Sequence, residues 1–247
     1  MKSATGEASH LRHGALLALL VALLVLGPLL PTILVGAAFL FTMTLVIWLL
    51  SMRFARDRVF AIAAAAVAVA LTGLDIVWSI SHEAIEGHGI LFRILMIVCF
   101  LLLTTWASWL ILRALLHERC VSLDTIFGAV SLYLIVGLAW GGGFSLVELV
   151  APGSFLDGQR ATQAGGGKAV IDADLTYFSF VTLATLGYGD ITPHSVFAGR
   201  LAVVEAIMGQ FYIAVVVAYL VSAFLASKPQ EATPEPTVAE PSGQEVP

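Results

Sequence analysis

The sequence predicts an all-α integral membrane protein: six transmembrane helices, with a re-entrant short helix and a glycine-bearing loop between the fifth and the sixth. Three observations carry this. Apolar residues make up 59% of the 247 positions and charged residues only 12%, where soluble domains hold about 25% charge. Six apolar runs, at about 14–30, 32–52, 59–80, 90–116, 124–150 and 197–227, approach or exceed the roughly 20 residues that cross a bilayer. Between the last two lies a further segment, about 172–190, too short to span and ending in glycines.

The first run follows Lys2 and Arg12, so it also has the look of a secretory signal. However, Gly27, Pro28 and Pro31 punctuate two apolar runs that together reach Met52, with no small-residue cleavage site leading into polar sequence. A tight helical hairpin is the better reading, and retention or cleavage of residues 14–30 stays open. Residues 1–13 are expected to be a cytoplasmic N-terminus and 14–116 a four-helix domain of unknown role. Residues 117–227 form the second membrane unit and 228–247 a disordered acidic tail rich in Pro, Ser, Thr and Glu. No soluble regulatory domain is expected there. Cys99 and Cys120 are too few and too badly placed for a disulfide framework.

Short cytoplasmic loops carry the excess of Lys and Arg. With six alternating helices, Lys2, Arg12, Arg53, Arg56, Arg58, Arg113, Arg119 and Lys228 share one side. The opposite loops hold Arg160 and Lys168, with Arg93 and Arg200 near outer helix ends. Both termini are therefore expected in the cytoplasm, and the short segment on the outer face. The membrane is the plasma membrane, which for a bacterial chain is the cell inner membrane.

That segment opens with Asp172 or Asp174 as an acidic N-cap before an apolar body reaching Ala184. Its C-terminal end points inward, where the helix dipole favours a cation. Next come Thr185, Leu186, Gly187, Tyr188, Gly189 and Asp190. A cation stripped of its water needs replacement oxygens, and backbone carbonyls are neutral and strongly dipolar. Pointing successive carbonyls of a strand at one axis forces some residues to positive φ, which Gly accepts at alternate positions 187 and 189. Thr185 adds a hydroxyl. Tyr188 must send its ring away from the axis, where Tyr177, Phe178 and Phe180 are expected to pack as a cuff. Asp190 sets a carboxylate at the outer mouth.

The run ThrLeuAlaThrLeuGlyTyrGlyAsp at 182–190 resembles the signature filter of the potassium channel superfamily. The resemblance covers about 122–227, and the first four helices match in number only. It implies potassium as the permeant ion, bound at Thr185, Leu186, Gly187 and Tyr188, by the family's established carbonyl mechanism. It implies no other cofactor and no catalytic residue, so the chain is not expected to be an enzyme. The partners are the bilayer and other copies of itself, with no nucleic acid and no small-molecule substrate. GYG occurs once, so a ring of four needs a homotetramer. Three positions depart from the common family pattern: Leu186 for a β-branched residue, Ala184 for Thr, and Phe178 for a Trp that bonds the filter tyrosine. A potassium-selective filter that is less rigid and inactivates more readily is expected.

Gly209 sits 19 residues after Asp190, the family's spacing for a hinge glycine, with close helix packing as the alternative. Counting turns from Gln210 puts Ile213, Val217, Val221 and Leu225 near one face, forming a cavity and a hydrophobic gate. A voltage sensor would need an arginine ladder in the fourth run, which holds only Arg93 and Arg113. Voltage dependence is expected to be weak or absent. Glu205 lies away from the Gln210 face, and a structural partner is favoured for it. Asp75 is expected to reach interfacial water and His194 to be an exposed loop residue without a role. His82, Glu83, Glu86 and His88 lack the spacing of a metal site. Two rival readings remain, a potassium-uptake transporter subunit and a non-conducting accessory protein.

Overall fold

The computed structural model describes residues 4–26, 89–117, 123–158 and 172–227. In chain order these form α1 (Ala4–Leu26), α2 (Gly89–His117), α3 (Leu123–Val150), β1 (Phe155–Asp157), α4 (Asp172–Leu183), β2 (Ile191–Pro193) and α5 (Val196–Ser227). Three helices among the described residues are long and apolar enough to cross a membrane, within Ile90–Leu116, Leu123–Val150 and Val196–Val216. The chain is a largely helical membrane protein. The expected runs at 32–52 and 59–80 lie outside the described residues, as do Asp75, Cys120 and the group from His82 to His88.

Two features add to the expected layout. Residues 4–13 are helical, so α1 starts ten residues before the apolar run marked from 14. Hydropathy marks where a helix meets lipid, whereas Ala, Glu, Leu and Arg in this stretch carry the backbone bonding upstream of it. The second is a pair of three-residue strands within this largely helical chain. β1 and β2 run antiparallel with Phe155 opposite Pro193 and Asp157 opposite Ile191, tying the end of α3 to the segment just past Asp190.

α3 is the hub, with α1, α2, α4 and α5 all packed against it. One core joins Leu16 and Leu20 of α1 to Leu103, Leu110 and Ile111 of α2 and Leu132 and Ile135 of α3. The second core gathers Phe144, Phe155, Leu175, Phe178, Ile191, Ala198 and Ala202 from α3, β1, α4, β2 and α5. Within it Phe144, Phe155 and Phe178 form a ring trio, with centroids 5.2–5.4 Å apart and edges turned to faces, the arrangement ring quadrupoles favour.

Small residues set the spacing of α4. A Cβ at Gly137 would meet the Phe180 ring at 2.5 Å, and one at Gly141 would meet the Thr176 Cα at 2.8 Å. The two glycines stand one turn apart, the small-residue pattern that lets membrane helices approach closely.

Candidate functional site

α4 begins at Asp172, at the expected acidic start, and its 12 residues rise roughly 18 Å, too little to cross the hydrocarbon core. Its end is a Schellman turn. Thr185 N donates to Thr182 O at 2.9 Å, and Leu186 N donates to Val181 O at 2.8 Å, satisfying carbonyls that a helix end leaves orphaned. The turn needs a left-handed residue, usually Gly, and here that residue is Thr185 at φ 57°. Among the described residues it is the one non-glycine with positive φ. A β-branched side chain in this region costs roughly 1–2 kcal/mol.

The left-handed conformation then recurs at every second residue: Thr185 at 57°, Gly187 at 58° and Gly189 at 77°. A Cβ at Gly187 or Gly189 would meet nothing within 4 Å. Backbone angle, not crowding within the chain, is therefore what glycine answers there. The loop is exposed, with Leu186 at 55% and Tyr188 at 66% of full accessibility. Gly187 N also points to Val181 O at 3.4 Å, so the loop hangs directly from the last turn of α4.

Asp190 anchors the other end of the loop. Its Oδ2 accepts from the Tyr177 hydroxyl at 2.8 Å and its Oδ1 from Ile191 N at 3.0 Å. Its own carbonyl accepts from Gly158 N at 2.8 Å. The bond to Asp190 holds the Tyr177 hydroxyl above its ordinary range, with desolvation a lesser cause. Sequence reasoning missed Glu148, whose two carboxylate oxygens accept from Gly153 N at 2.7 Å and Phe155 N at 3.0 Å. It thereby orders the turn that delivers β1. An acidic residue in the last turn of an apolar helix was the available signal.

Of the expected cuff, Tyr177 alone reaches the loop, through Asp190. Phe178 turns into the trio with Phe144 and Phe155, and Phe180 lies against Gly137. Within the chain they brace α4 against α3 and β1. The reason is helical: consecutive positions on α4 point about 100° apart, so 177, 178 and 180 cannot all face one loop.

α5 meets the inner end. Gln210 Nε2 donates to Thr185 Oγ1 at 3.2 Å, which gives the strained threonine a partner that glycine would lack. A Cβ at Gly209 would run into the Leu183 carbonyl oxygen, so close packing gives Gly209 a reason that requires no bending. Glu205 has a structural partner: its Oε1 lies 2.5 Å from Ser179 Oγ. Ile213 and Val221 are exposed, while the side chains of Val217 and Leu225 lie outside the described set. Ile207, Phe211 and Val215 are also exposed, so the single chain leaves most of the α5 circumference bare. His194 is exposed, and its N–H donates to Ser154 O at 2.7 Å.

Residues 171–226 match the family described as ion channel, a stretch taking in α4, the loop, β2 and nearly all of α5. The chain is thus a membrane protein carrying an ion channel domain at its C-terminal side. No curated protein and no solved structure matches it.

Proposed function

We propose that the chain is the subunit of a homotetrameric, potassium-selective channel that conducts passively and catalyses no covalent reaction. The observation that carries this reading is the alternation of left-handed residues at 185, 187 and 189 in a ThrLeuGlyTyrGly strand hung from a helix C-terminus. Alternating backbone hand turns successive carbonyls toward one side. Four such strands around an axis would replace the water of a potassium ion. On this reading α4 is the re-entrant pore helix, Thr185 to Gly189 the filter, Asp190 its outer mouth and Gln210 the top of the cavity. The C-terminal end of α4, aimed at the cavity, adds four partial negative charges that favour a cation.

The bare surface of α5 supports assembly with other copies, because an apolar helix exposed on several sides within a membrane unit needs neighbours that one chain does not supply. Distribution of Lys and Arg supports cytoplasmic termini and an outward-facing filter in the plasma membrane. α2 carries Arg93 and Arg113 near its ends and no charged residue between them, which supports gating without a voltage sensor.

The test is flux through full-length protein in liposomes with a potassium gradient. Fast flux, blocked by barium and much larger for potassium than sodium, is the expected result. Equal sodium and potassium flux would overturn the selectivity. Slow, saturable flux would favour the transporter reading, and no flux the accessory one. For the gate, Val217→Ser or Val221→Ser should raise resting flux, and unchanged flux rejects those two positions.

A further inference from the structure

Glu205 is fully buried in α5, in a helix otherwise made of apolar and small residues around it. Its surroundings define its chemistry. Ser179 Oγ of α4 stands 2.5 Å from Glu205 Oε1 and 2.7 Å from the Gly137 carbonyl oxygen of α3. A serine hydroxyl has one proton, a backbone carbonyl only accepts, and an ionised carboxylate only accepts. With Glu205 ionised, one proton would have to serve two acceptors, and one close oxygen pair would hold no hydrogen. A carboxylic acid supplies the missing proton.

The other oxygen points the same way. Glu205 Oε2 is buried without a hydrogen-bond partner, a position that a charged oxygen occupies at far greater cost than a neutral carbonyl. No Lys, Arg or His among the described residues acts on it. From α3 the group within electrostatic reach is the Tyr133 phenol. On α5 itself Tyr212 packs against Tyr133 with ring centroids 5.3 Å apart and planes tilted by 48°, and its hydroxyl donates to Ala129 O.

We propose that Glu205 is a protonated acid donating to Ser179, which donates to the Gly137 carbonyl, and that this relay latches α4 between α3 and α5. Glu205 is a positioning residue for conduction. Ser179 lies two residues before Val181, whose carbonyl holds Leu186 N at 2.8 Å and Gly187 N at 3.4 Å. A shift of α4 is therefore passed straight to the strand at 185–189. Gly137 has a double duty, lending its carbonyl to Ser179 while its missing side chain admits Phe180.

The flux part of this inference rests on the channel reading; the protonation part does not. Infrared difference spectra of the full-length protein in lipid, wild type minus Glu205→Gln, should show the carbonyl stretch of one neutral carboxylic acid, shifted in Ser179→Ala. A difference spectrum with carboxylate bands alone overturns the proposal, whether or not the protein conducts. In liposomes Glu205→Gln keeps an N–H donor toward Ser179 without a charge, and its flux should stay within about twofold of wild type. Glu205→Ala and Ser179→Ala remove a member of a buried chain and should lower flux about tenfold. Full flux in Glu205→Ala overturns the latch. A silent wild type condemns the channel reading and leaves the infrared result to decide the protonation state.

Discussion

α3 and α5 are both long apolar helices, of 28 and 32 residues, yet they live in opposite surroundings. α3 spends its faces inside the chain: Leu132 and Ile135 against α1 and α2, Gly137 and Gly141 against α4, Phe144 in the aromatic trio. α5 buries little beyond Ala198, Ala202, Glu205 and Gly209 and leaves Val203, Ile207, Phe211 and Val215 exposed. Composition does not separate them. What differs is where their partners are: α3 is covered within the chain and α5 is left bare, the difference on which the proposed assembly rests.

The sharpest way to break this contrast is covalent capture. In a background with Cys99 and Cys120 replaced by Ala, a cysteine at Phe211 or Val215 should yield disulfide-linked dimers on mild oxidation, and one at Ile135 should yield none. Equal cross-linking at both would remove the distinction. Next in size, Phe144→Ala opens the trio and should cost about 3–5 kcal/mol, read as loss of folded protein in a thermal melt. A cost within error of zero would mean that the core formed with Phe155 and Phe178 does not hold α4.

Gly209→Ala tests the tight contact of α5 with the end of α4. Its methyl group would press on the Leu183 carbonyl, and a penalty of about 1–3 kcal/mol is expected, again by melting temperature. A neutral effect would return Gly209 to the hinge role alone. The smallest change is Tyr177→Phe, which removes one exposed hydrogen bond to Asp190 and should speed the decline of current while leaving folding intact. This bond has a sign in pH. The folded hydroxyl titrates above the ordinary tyrosine range because Asp190 holds its proton, so the contribution is complete below about pH 10, the ordinary tyrosine value, and is lost as pH rises through the higher folded value. Current decline that accelerates in that alkaline window in wild type, and not in Tyr177→Phe, is the expected pattern; matching profiles would reject the role.

Much of the helical layout was legible in advance because a membrane span is a local property. The runs marked at 90–116, 124–150 and 197–227 differ from α2, α3 and α5 by no more than one residue at either end, since long apolar composition needs no partner to be recognised. Gly187 and Gly189 were legible for a similar reason, as alternate glycines announce alternate positive φ. Thr185 was not. Its left-handed angle comes from the Schellman turn, and a β-branched residue is the last that propensity would place there. The partners of Phe178 and Phe180 within the chain were not legible either, because which element an aromatic ring meets depends on how the 100° step of α4 is laid against α3.

By itself the sequence determined where the apolar helices α2, α3 and α5 run, that α4 opens on an acidic residue and that positive φ falls on Gly187 and Gly189, because each follows from composition or from one backbone angle. The tertiary structure alone decided the ribbon of β1 and β2, the cap made by Glu148 and the company of Glu205. The relay that ends on Gly137 joins residues 42 and 26 positions apart, and no local pattern encodes which distant carbonyl a buried serine will meet. Packing decides it, through two glycines on α3 and one on α5 that let three helices come close enough for a single hydroxyl to touch both neighbours.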